Sequence, residues 1–366
     1  MNELQKKQNA HDFFIYPLRI LAFSSVFIGH FWIPEIISLT GDKNENVSKI
    51  FTFLAPLWRQ GAFGVALFFL ISGYVITKAL NREKPSTFFY RRVFRIFPMY
   101  MVALVIFWVT QVMFAGKPWP STKLIIASLS LLGDFKGAPN QLAGVDWTLR
   151  IEILFYLFVG ISTYVVSIFL RNSFGQSHSL LVTTFALGLT LTLVPAFPKG
   201  GFAGGYLNFF APIFLAGMAL ALHSLKQIGI GVTSLVLICS YFLSTSKQTE
   251  LRPDLNLGPY LFWSYFIFIL FYSLKNRFIS NSIIIWVSGL TYTFYLFHNW
   301  MYYYIDKSLQ TLGDKIKLPD MTEFQILGIV NLQSVLSLSL FVFLVDFLVR
   351  RIERPIIHWS RSKFRS

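Results

Sequence analysis

The stretch RILAFSSVFIGH, residues 19–30, joins an arginine to a histidine through ten residues that carry no charge. At 3.6 residues per turn, Arg19 and His30 share one face of a helix, about 16 Å apart along its axis. A helix this apolar is typical of a membrane span, where ionisable side chains face the bundle interior or a wet cavity. The stretch therefore predicts a membrane helix that directs two polar groups toward one interior surface.

The composition of the whole chain supports a membrane protein. Hydrophobic residues make up 54% of the 366 residues and charged residues only 13%, and the mean hydropathy is +0.57. A water-soluble surface needs far more charge than this. The single cysteine, Cys239, excludes an internal disulfide framework and a cysteine metal cluster.

Hydrophobic runs long enough to cross about 30 Å of hydrocarbon predict a bundle of about ten transmembrane helices. We therefore expect an all-α, polytopic fold forming one domain over residues 1–366. The predicted spans are 14–34, 60–80, 98–115, 148–170, 179–196, 207–224, 228–244, 258–274, 281–304 and 325–349. The apolar run 122–133 is too short to cross and is expected to lie in the membrane interface.

Arginine placement predicts the orientation of the bundle. Segments on the side of the termini carry Arg82, Arg91, Arg92, Arg95, Arg171, Arg277, Arg350, Arg351, Arg354, Arg361 and Arg365, whereas the opposite loops carry Arg59 and Arg252. Because cytoplasmic loops are enriched in Lys and Arg, both termini are predicted to be cytoplasmic. The net charge of +15 is thus explained by topology, and we expect no nucleic-acid partner. The first span lacks a small-residue cleavage site and is interpreted as a retained helix.

In this topology Arg19 lies at the cytoplasmic end of the first span and His30 about three turns deeper. Arg19 fits a snorkelling anchor as well as a functional group. For His30 a functional role is favoured over a structural hydrogen bond to another helix.

Other spans place polar groups at similar depths. VDWTLRIEILFYL positions Glu152 about one turn inside the fourth span, and SGLTYTFYLFHNW positions Tyr292, Tyr295 and His298 along the ninth. A carboxylate beside an imidazole orients it and raises its basicity, as abstraction of a hydroxyl proton requires.

Structural alternatives exist for several of these groups. Glu152 could instead form an ion pair with Arg150, and the two tyrosines could belong to the interfacial aromatic belt. Asp346 is expected to pair with Arg350, four residues further along its helix.

The segment YRRVFRIFP, residues 90–98, clusters Arg91, Arg92 and Arg95 ahead of Pro98. Arg92 and Arg95, three residues apart, lie on one helical face and can bind phosphate oxygens bidentately. The alternative is a plain topology signal in contact with anionic lipid headgroups.

Taken in order, these motifs resemble the acyltransferase-3 family of bacterial membrane O-acyltransferases. The resemblance covers essentially the whole chain and consists of Arg19 and His30 in R-x10-H spacing, FFLISGY at 68–74, Arg92-x-x-Arg95, WTLRIE at 147–152, YTFYLFH at 292–298 and ERP at 353–355. The family commonly uses acetyl-CoA from the cytoplasm and acylates sugar hydroxyls of surface polysaccharides. The resemblance therefore implies a multi-pass protein of the bacterial inner membrane, with no metal.

The resemblance also implies roles for individual residues. Arg92 and Arg95, with Arg91 beside them, would hold CoA phosphates, and Arg19 would stabilise negative charge near the thioester. His30 would be the general base or, less simply, a transient acyl carrier. Glu152 would orient an imidazole or bind sugar hydroxyls. Acceptor binding is assigned to His298, Tyr295, Tyr292 and Trp147.

The acceptor is expected to be a surface polysaccharide, such as lipopolysaccharide O-antigen, or a lipid-linked oligosaccharide. Some family members carry a fused extracytoplasmic domain that completes transfer. This chain ends at Ser366 without one, so we expect the acceptor to reach the membrane site directly or a separate extracytoplasmic partner to complete transfer. Succinyl or branched acyl donors remain alternatives to acetyl.

Two other function classes stay open. Polar groups facing one cavity also suit a transporter or flippase of an acylated or lipid-linked sugar, although no broken-helix pair or internal repeat is evident. A scaffold for polysaccharide assembly explains the spans but gives His30 and Glu152 no purpose.

Overall fold

The computed structural model describes most of the chain as helix. The described residues are 12–40, 57, 61–83, 85–131, 133, 138–170, 181, 183–188, 202–251, 256, 258–316 and 323–363. No strand occurs within these ranges, which confirms the predicted all-α class.

The principal helices follow the apolar runs of the sequence. They are α1 (Ile15–Thr40), α2 (Ala62–Leu80), α3 (Pro85–Ala115), α4 (Thr122–Leu129), α5 (Asp146–Leu170), α6 (Phe202–Ser224), α7 (Ile230–Leu251), α8 (Gly258–Ser273), α9 (Ser282–Phe297), α10 (Tyr303–Ile316), α11 (Glu323–Leu348) and α12 (Arg354–Lys363). Single π-helical turns join α9 to α10 (His298–Tyr302) and α11 to α12 (Val349–Glu353).

Five helical stretches of the described chain are long and apolar enough to cross a membrane. They are Ala62–Leu80, Ser86–Ala115, Asp146–Val166, Ile230–Gln248 and Leu332–Lys363. Shorter apolar helices run over Ile15–Phe31, Asn208–Ser224 and Gly258–Ser273. The count of ten spans and the cytoplasmic side of the termini stay predictions, and most of the predicted span 179–196 lies outside the described residues.

Two predicted boundaries differ from the helices that form. The third helix begins at Pro85, ahead of the predicted span start at residue 98, and continues through Pro98. Pro98 lacks an N–H group and would interrupt an isolated helix, but the bundle keeps α3 continuous, so its arginines lie on a candidate span. The apolar run 122–133, which we expect in the membrane interface, contains the short helix α4, and the side chain of the preceding Ser121 accepts a hydrogen bond from Leu124 N at 3.3 Å.

Helix α2 is the centre of the bundle. It packs against α1, α6 and α8, and 72% of its apolar stretch is buried, against 17% for α7. α9 packs against α1, α3 and α11, and α5 against α3 and α6. The result is an interior surface to which α1, α2, α3, α5 and α9 all contribute.

Close helix contact in this centre depends on glycine. A Cβ atom built on Gly73 of α2 would overlap the carbonyl oxygen of Phe214 in α6, and one on Gly217 of α6 would overlap that of Leu70 in α2. Lipid provides no hydrophobic drive between helices, so small residues that permit backbone contact supply the packing energy instead.

We expect Gly73→Ala to destabilise the folded protein by about 1–3 kcal/mol, because the added methyl group overpacks a backbone contact. Gly160→Ala in α5 is the matched control, since no described atom lies within 4 Å of its Cβ position and alanine is the better helix former. Thermal unfolding of the two purified variants in detergent measures the difference. Equal midpoints for both would show that the α2–α6 contact is not close in solution.

Candidate active site

A cavity of about 70 Å³ lies on the interior surface between α1, α2, α3, α5 and α9. A buried water occupies about 10–15 Å³ by this kind of measure, so the cavity holds a few waters or one small group. Its walls are mostly apolar, and its charged lining residues are Arg19, Arg92, Arg95 and Glu152. We call this space the arginine cavity.

The three arginines reach the cavity from two helices. Arg19 lies in the second turn of α1, and Arg92 and Arg95 lie one turn apart on α3. Within the described part of the chain, none of the three has a carboxylate within ion-pair distance. Arg92 stacks over the Phe88 ring at 5.1 Å, and its buried Nε has no hydrogen-bond partner among the described residues.

Glu152 enters the same cavity from α5. Its Oε1 accepts hydrogen bonds from the hydroxyls of Tyr156 and, at 3.3 Å, Ser72. Arg92 and Arg95 attract its carboxylate electrostatically, whereas they repel Arg19. With Glu152 ionised, three positive charges and one negative line the cavity, which leaves it two positive charges in excess.

The alternative ion pair between Glu152 and Arg150 is wrong. Residues two apart on a helix point to different sides, and Arg150 pairs instead with Asp146, its Nη2 lying 2.7 Å from Oδ2. The Arg150 and Asp146 side chains are 1% and 0% exposed, respectively. Asp146 Oδ1 also accepts from Gln141 N at 2.7 Å, and Arg150 donates to the Pro139 carbonyl at 3.2 Å. This pair anchors the loop that precedes α5.

His30 and His298 form a second group, which we call the histidine pair. Their ring centroids lie 5.5 Å apart. His298 is buried in the π-helical turn after α9, whereas His30 on α1 is exposed. Neither ring is among the described side chains that line the arginine cavity.

Two aromatic side chains border both the arginine cavity and His298. Phe23 and Tyr295 both line the cavity, and their rings lie 6.3 Å and 5.4 Å from the ring of His298. Tyr295 is held by a 2.9 Å hydrogen bond between its hydroxyl and that of Thr148 in α5. Most of the predicted site residues therefore form two adjoining compartments, the arginine cavity and the histidine pair.

Of the remaining predicted site residues, one lines the arginine cavity and two do not. Tyr292 lines the arginine cavity and donates its hydroxyl to the Ile96 carbonyl at 2.8 Å. Arg91 forms an ion pair with Glu83 at 2.7 Å and is not a cavity-lining residue. Trp147 packs on Phe210 with ring centroids 5.6 Å apart, also away from the cavity.

The expected pair of Asp346 and Arg350 is confirmed, with Oδ2 and Nε 2.6 Å apart. Sequence reasoning missed Ser72 and Tyr156, the two hydroxyl donors to Glu152, and Thr148. Tyr156 follows Glu152 by one helical turn and could have been found by that spacing. Ser72 comes from another helix, and only its place in the FFLISGY motif pointed to it.

Comparison with known proteins identifies the family of the chain. A family model described as an acyltransferase domain matches residues 15–350. The acyltransferase MdmB of Streptomyces mycarofaciens is 28% identical over 116 residues, 30% of each chain. Nodulation protein 10 of Rhizobium leguminosarum bv. viciae is 26% identical over 193 residues, 47% of this chain and 48% of the relative. The aligned regions thus span less than half of these curated relatives. No solved structure matches the chain.

The buried pair before α5 gives a stability prediction. We expect Arg150→Ala to destabilise the fold by about 3–5 kcal/mol, because Asp146 is then left as an uncompensated buried charge. Arg350→Ala removes an ion pair of the same i, i+4 spacing whose arginine side chain is 60% exposed, and should cost at most about 1 kcal/mol. Thermal unfolding of both purified variants checks this, and equal losses would contradict a structural role specific to the buried pair.

Proposed function

The chain belongs to the acyltransferase domain family, and on that premise we propose that it is a multi-pass membrane O-acyltransferase. In this proposal it transfers an acyl group, most simply acetyl, from cytoplasmic acyl-CoA to a hydroxyl of a cell-surface or lipid-linked glycan. The compartment would be the inner membrane of a bacterium. The observation that carries the proposal is the excess positive charge of the arginine cavity inside an apolar helix bundle.

Unpaired arginines are costly in such a bundle. Removing a charged side chain from water costs free energy. Charged residues inside a membrane protein therefore usually pair with an opposite charge or serve a function. Arg92 and Arg95 present guanidinium groups one turn apart, a spacing that suits phosphate oxygens of CoA. Glu152 would hold these two side chains in place through charge, with its own position fixed by Ser72 and Tyr156.

The small cavity suits the thioester end of the donor rather than the whole molecule. Arg19 lines it from α1 and would stabilise the oxyanion that forms when the thioester carbonyl is attacked. His30 lies three turns further along the same helix and would take the proton of the attacking hydroxyl. Tyr295 lies at the boundary between the two compartments and would contact the acceptor there.

One assay tests the class of function. Purified protein in lipid vesicles is incubated with radiolabelled acetyl-CoA and cell-envelope glycan, and the glycan is analysed by mass spectrometry for added acetyl groups. Label on the glycan that depends on the protein supports the enzyme. Movement of unlabelled glycan across the vesicle membrane would favour a transporter instead.

Arg92→Ala and Arg95→Ala should each raise KM for acyl-CoA about 10–100-fold, since a charge-assisted hydrogen bond is worth about 1.5–3 kcal/mol. KM for the glycan should stay unchanged, because the acceptor does not contact these groups. Arg361→Ala is the control, an exposed arginine on α12, and should match the unmodified protein. A raised glycan KM with normal acyl-CoA affinity would exclude the phosphate assignment.

His30→Ala should remove most turnover, about 10²–10⁴-fold, without changing protein abundance or acyl-CoA binding, because only a proton acceptor is lost. Arg19→Lys should also impair turnover, since an ammonium group does not reproduce the geometry of a guanidinium fork. Both variants are scored in one membrane preparation for protein level, acyl-CoA binding and glycan acylation. Full activity of Arg19→Lys would make Arg19 an anchor, and full activity of His30→Ala would end its assignment as base.

A further inference from the structure

The hydrogen bonding of His298 fixes its tautomer. Its Nδ1 lies 2.7 Å from the backbone carbonyl oxygen of Tyr295. A carbonyl oxygen only accepts hydrogen bonds, so Nδ1 of His298 carries the hydrogen. In the neutral ring Nε2 is then a bare lone pair that can only accept.

That lone pair has no partner of its own. His298 is 1% exposed, and within the described part of the chain its buried Nε2 has no hydrogen-bond partner. Buried polar atoms are rarely left unsatisfied, and an exception needs an explanation. Among the described residues, the imidazole beside it is that of His30, whose ring centroid lies 5.5 Å away, so the two rings are within contact distance.

The backbone around His298 is held in place. The π-helical turn His298–Tyr302 is a form that often occurs at functional sites. Asn299 Nδ2 donates to the Ala143 carbonyl at 2.7 Å, which ties the turn to the loop anchored by Arg150 and Asp146. Trp300 Nε1 donates to the Leu296 carbonyl at 3.0 Å. The His298 ring is thus fixed while His30 is the exposed member of the pair.

We propose that His298 is a positioning residue for His30: its Nε2 accepts a hydrogen bond from the ring N–H of His30, so that the other ring nitrogen of His30 faces the acceptor hydroxyl. This inference rests on the proposed acyltransferase function. It assigns to a neutral imidazole the orienting role that a carboxylate has in other histidine sites. Glu152, whose hydrogen bonds go to Ser72 and Tyr156, is then free of that role.

The chemical step balances without any further reactant. The free nitrogen of His30 takes the hydroxyl proton as the acceptor oxygen bonds to the thioester carbonyl carbon. The tetrahedral intermediate then breaks its carbon–sulfur bond, and the leaving thiolate receives the proton from His30. His298 neither gains nor loses a proton and stabilises the transient imidazolium by accepting its second N–H.

Two substitutions test the roles of the two ring nitrogens of His298 separately. The side-chain amide of asparagine superimposes on Nδ1, so His298→Asn keeps a donor to the Tyr295 carbonyl and removes the acceptor facing His30. The amide of glutamine superimposes on Nε2, so His298→Gln can present an oxygen acceptor toward His30. His223→Asn is the matched control, because His223 Nδ1 likewise lies 3.2 Å from a backbone carbonyl, that of Ile228.

We expect His298→Asn to lower kcat about 100-fold, less than the 10⁴-fold found where a charged orienting group is altered, with KM for acyl-CoA unchanged. His298→Gln should recover at least a tenth of the unmodified kcat, and His223→Asn should be fully active. Full activity of His298→Asn, or equal loss in the Asn and Gln variants with normal unfolding temperatures, overturns the proposal. If the unmodified protein itself transfers no acyl group, the proposed function fails as well.

A second measurement does not depend on activity. Nitrogen-15 NMR of the protein labelled with nitrogen-15 histidine reports which ring nitrogen carries the hydrogen. Comparison with the spectrum of His298→Asn assigns the His298 signals. A hydrogen on Nδ1 and a bare Nε2 are expected. A hydrogen on Nε2 would overturn the proposal whatever the assay shows.

Discussion

The arrangement of the bundle depends on backbone contact at helix α2. Gly73 and Gly217 let α2 and α6 touch without side chains between them, and Gly64 does the same toward Ala22 of α1. This close contact places Arg19 of α1 and Ser72 of α2 on one interior surface. In lipid, this close packing supplies the free energy of helix association that the hydrophobic effect supplies in soluble proteins. The geometry of the charged site therefore depends on three glycines, which have no side chain.

The bundle contains two kinds of arginine, and their surroundings differ. Arg150 pairs with Asp146 and donates to carbonyl oxygens through its Nη atoms, so its charge is neutralised within the fold and fixes a loop. Arg19, Arg92 and Arg95 share a single carboxylate in a mostly apolar cavity. A low dielectric strengthens both the mutual repulsion of these three groups and their attraction for an anion. The first arrangement stabilises the protein, and under the proposed function the second would bind the anionic donor.

Much of the local structure could be predicted from the sequence, because a helix fixes which residues share a face. The spacing of Arg92 and Arg95 and that of Asp346 and Arg350 are of this kind. The partners of Glu152 could not be predicted, since Ser72 comes from a distant helix and Arg150 was the nearest charge along the chain. The π-helical turn at His298 breaks the 3.6-residue period on which such reasoning depends. The separation of the site into the arginine cavity and the histidine pair depends on packing between helices, which helical spacing alone does not give.

Phe23 and Tyr295, which border both the arginine cavity and His298, have a consequence for the fidelity of acyl transfer. Under the proposed function, these two rings form part of the cavity wall beside His298 and would hinder the passage of water from the exposed His30 to a thioester in the cavity. An activated base beside an unprotected thioester would waste donor by hydrolysis. The rings would limit this hydrolysis until an acceptor displaces them, so that the thioester reacts with the acceptor hydroxyl rather than with water.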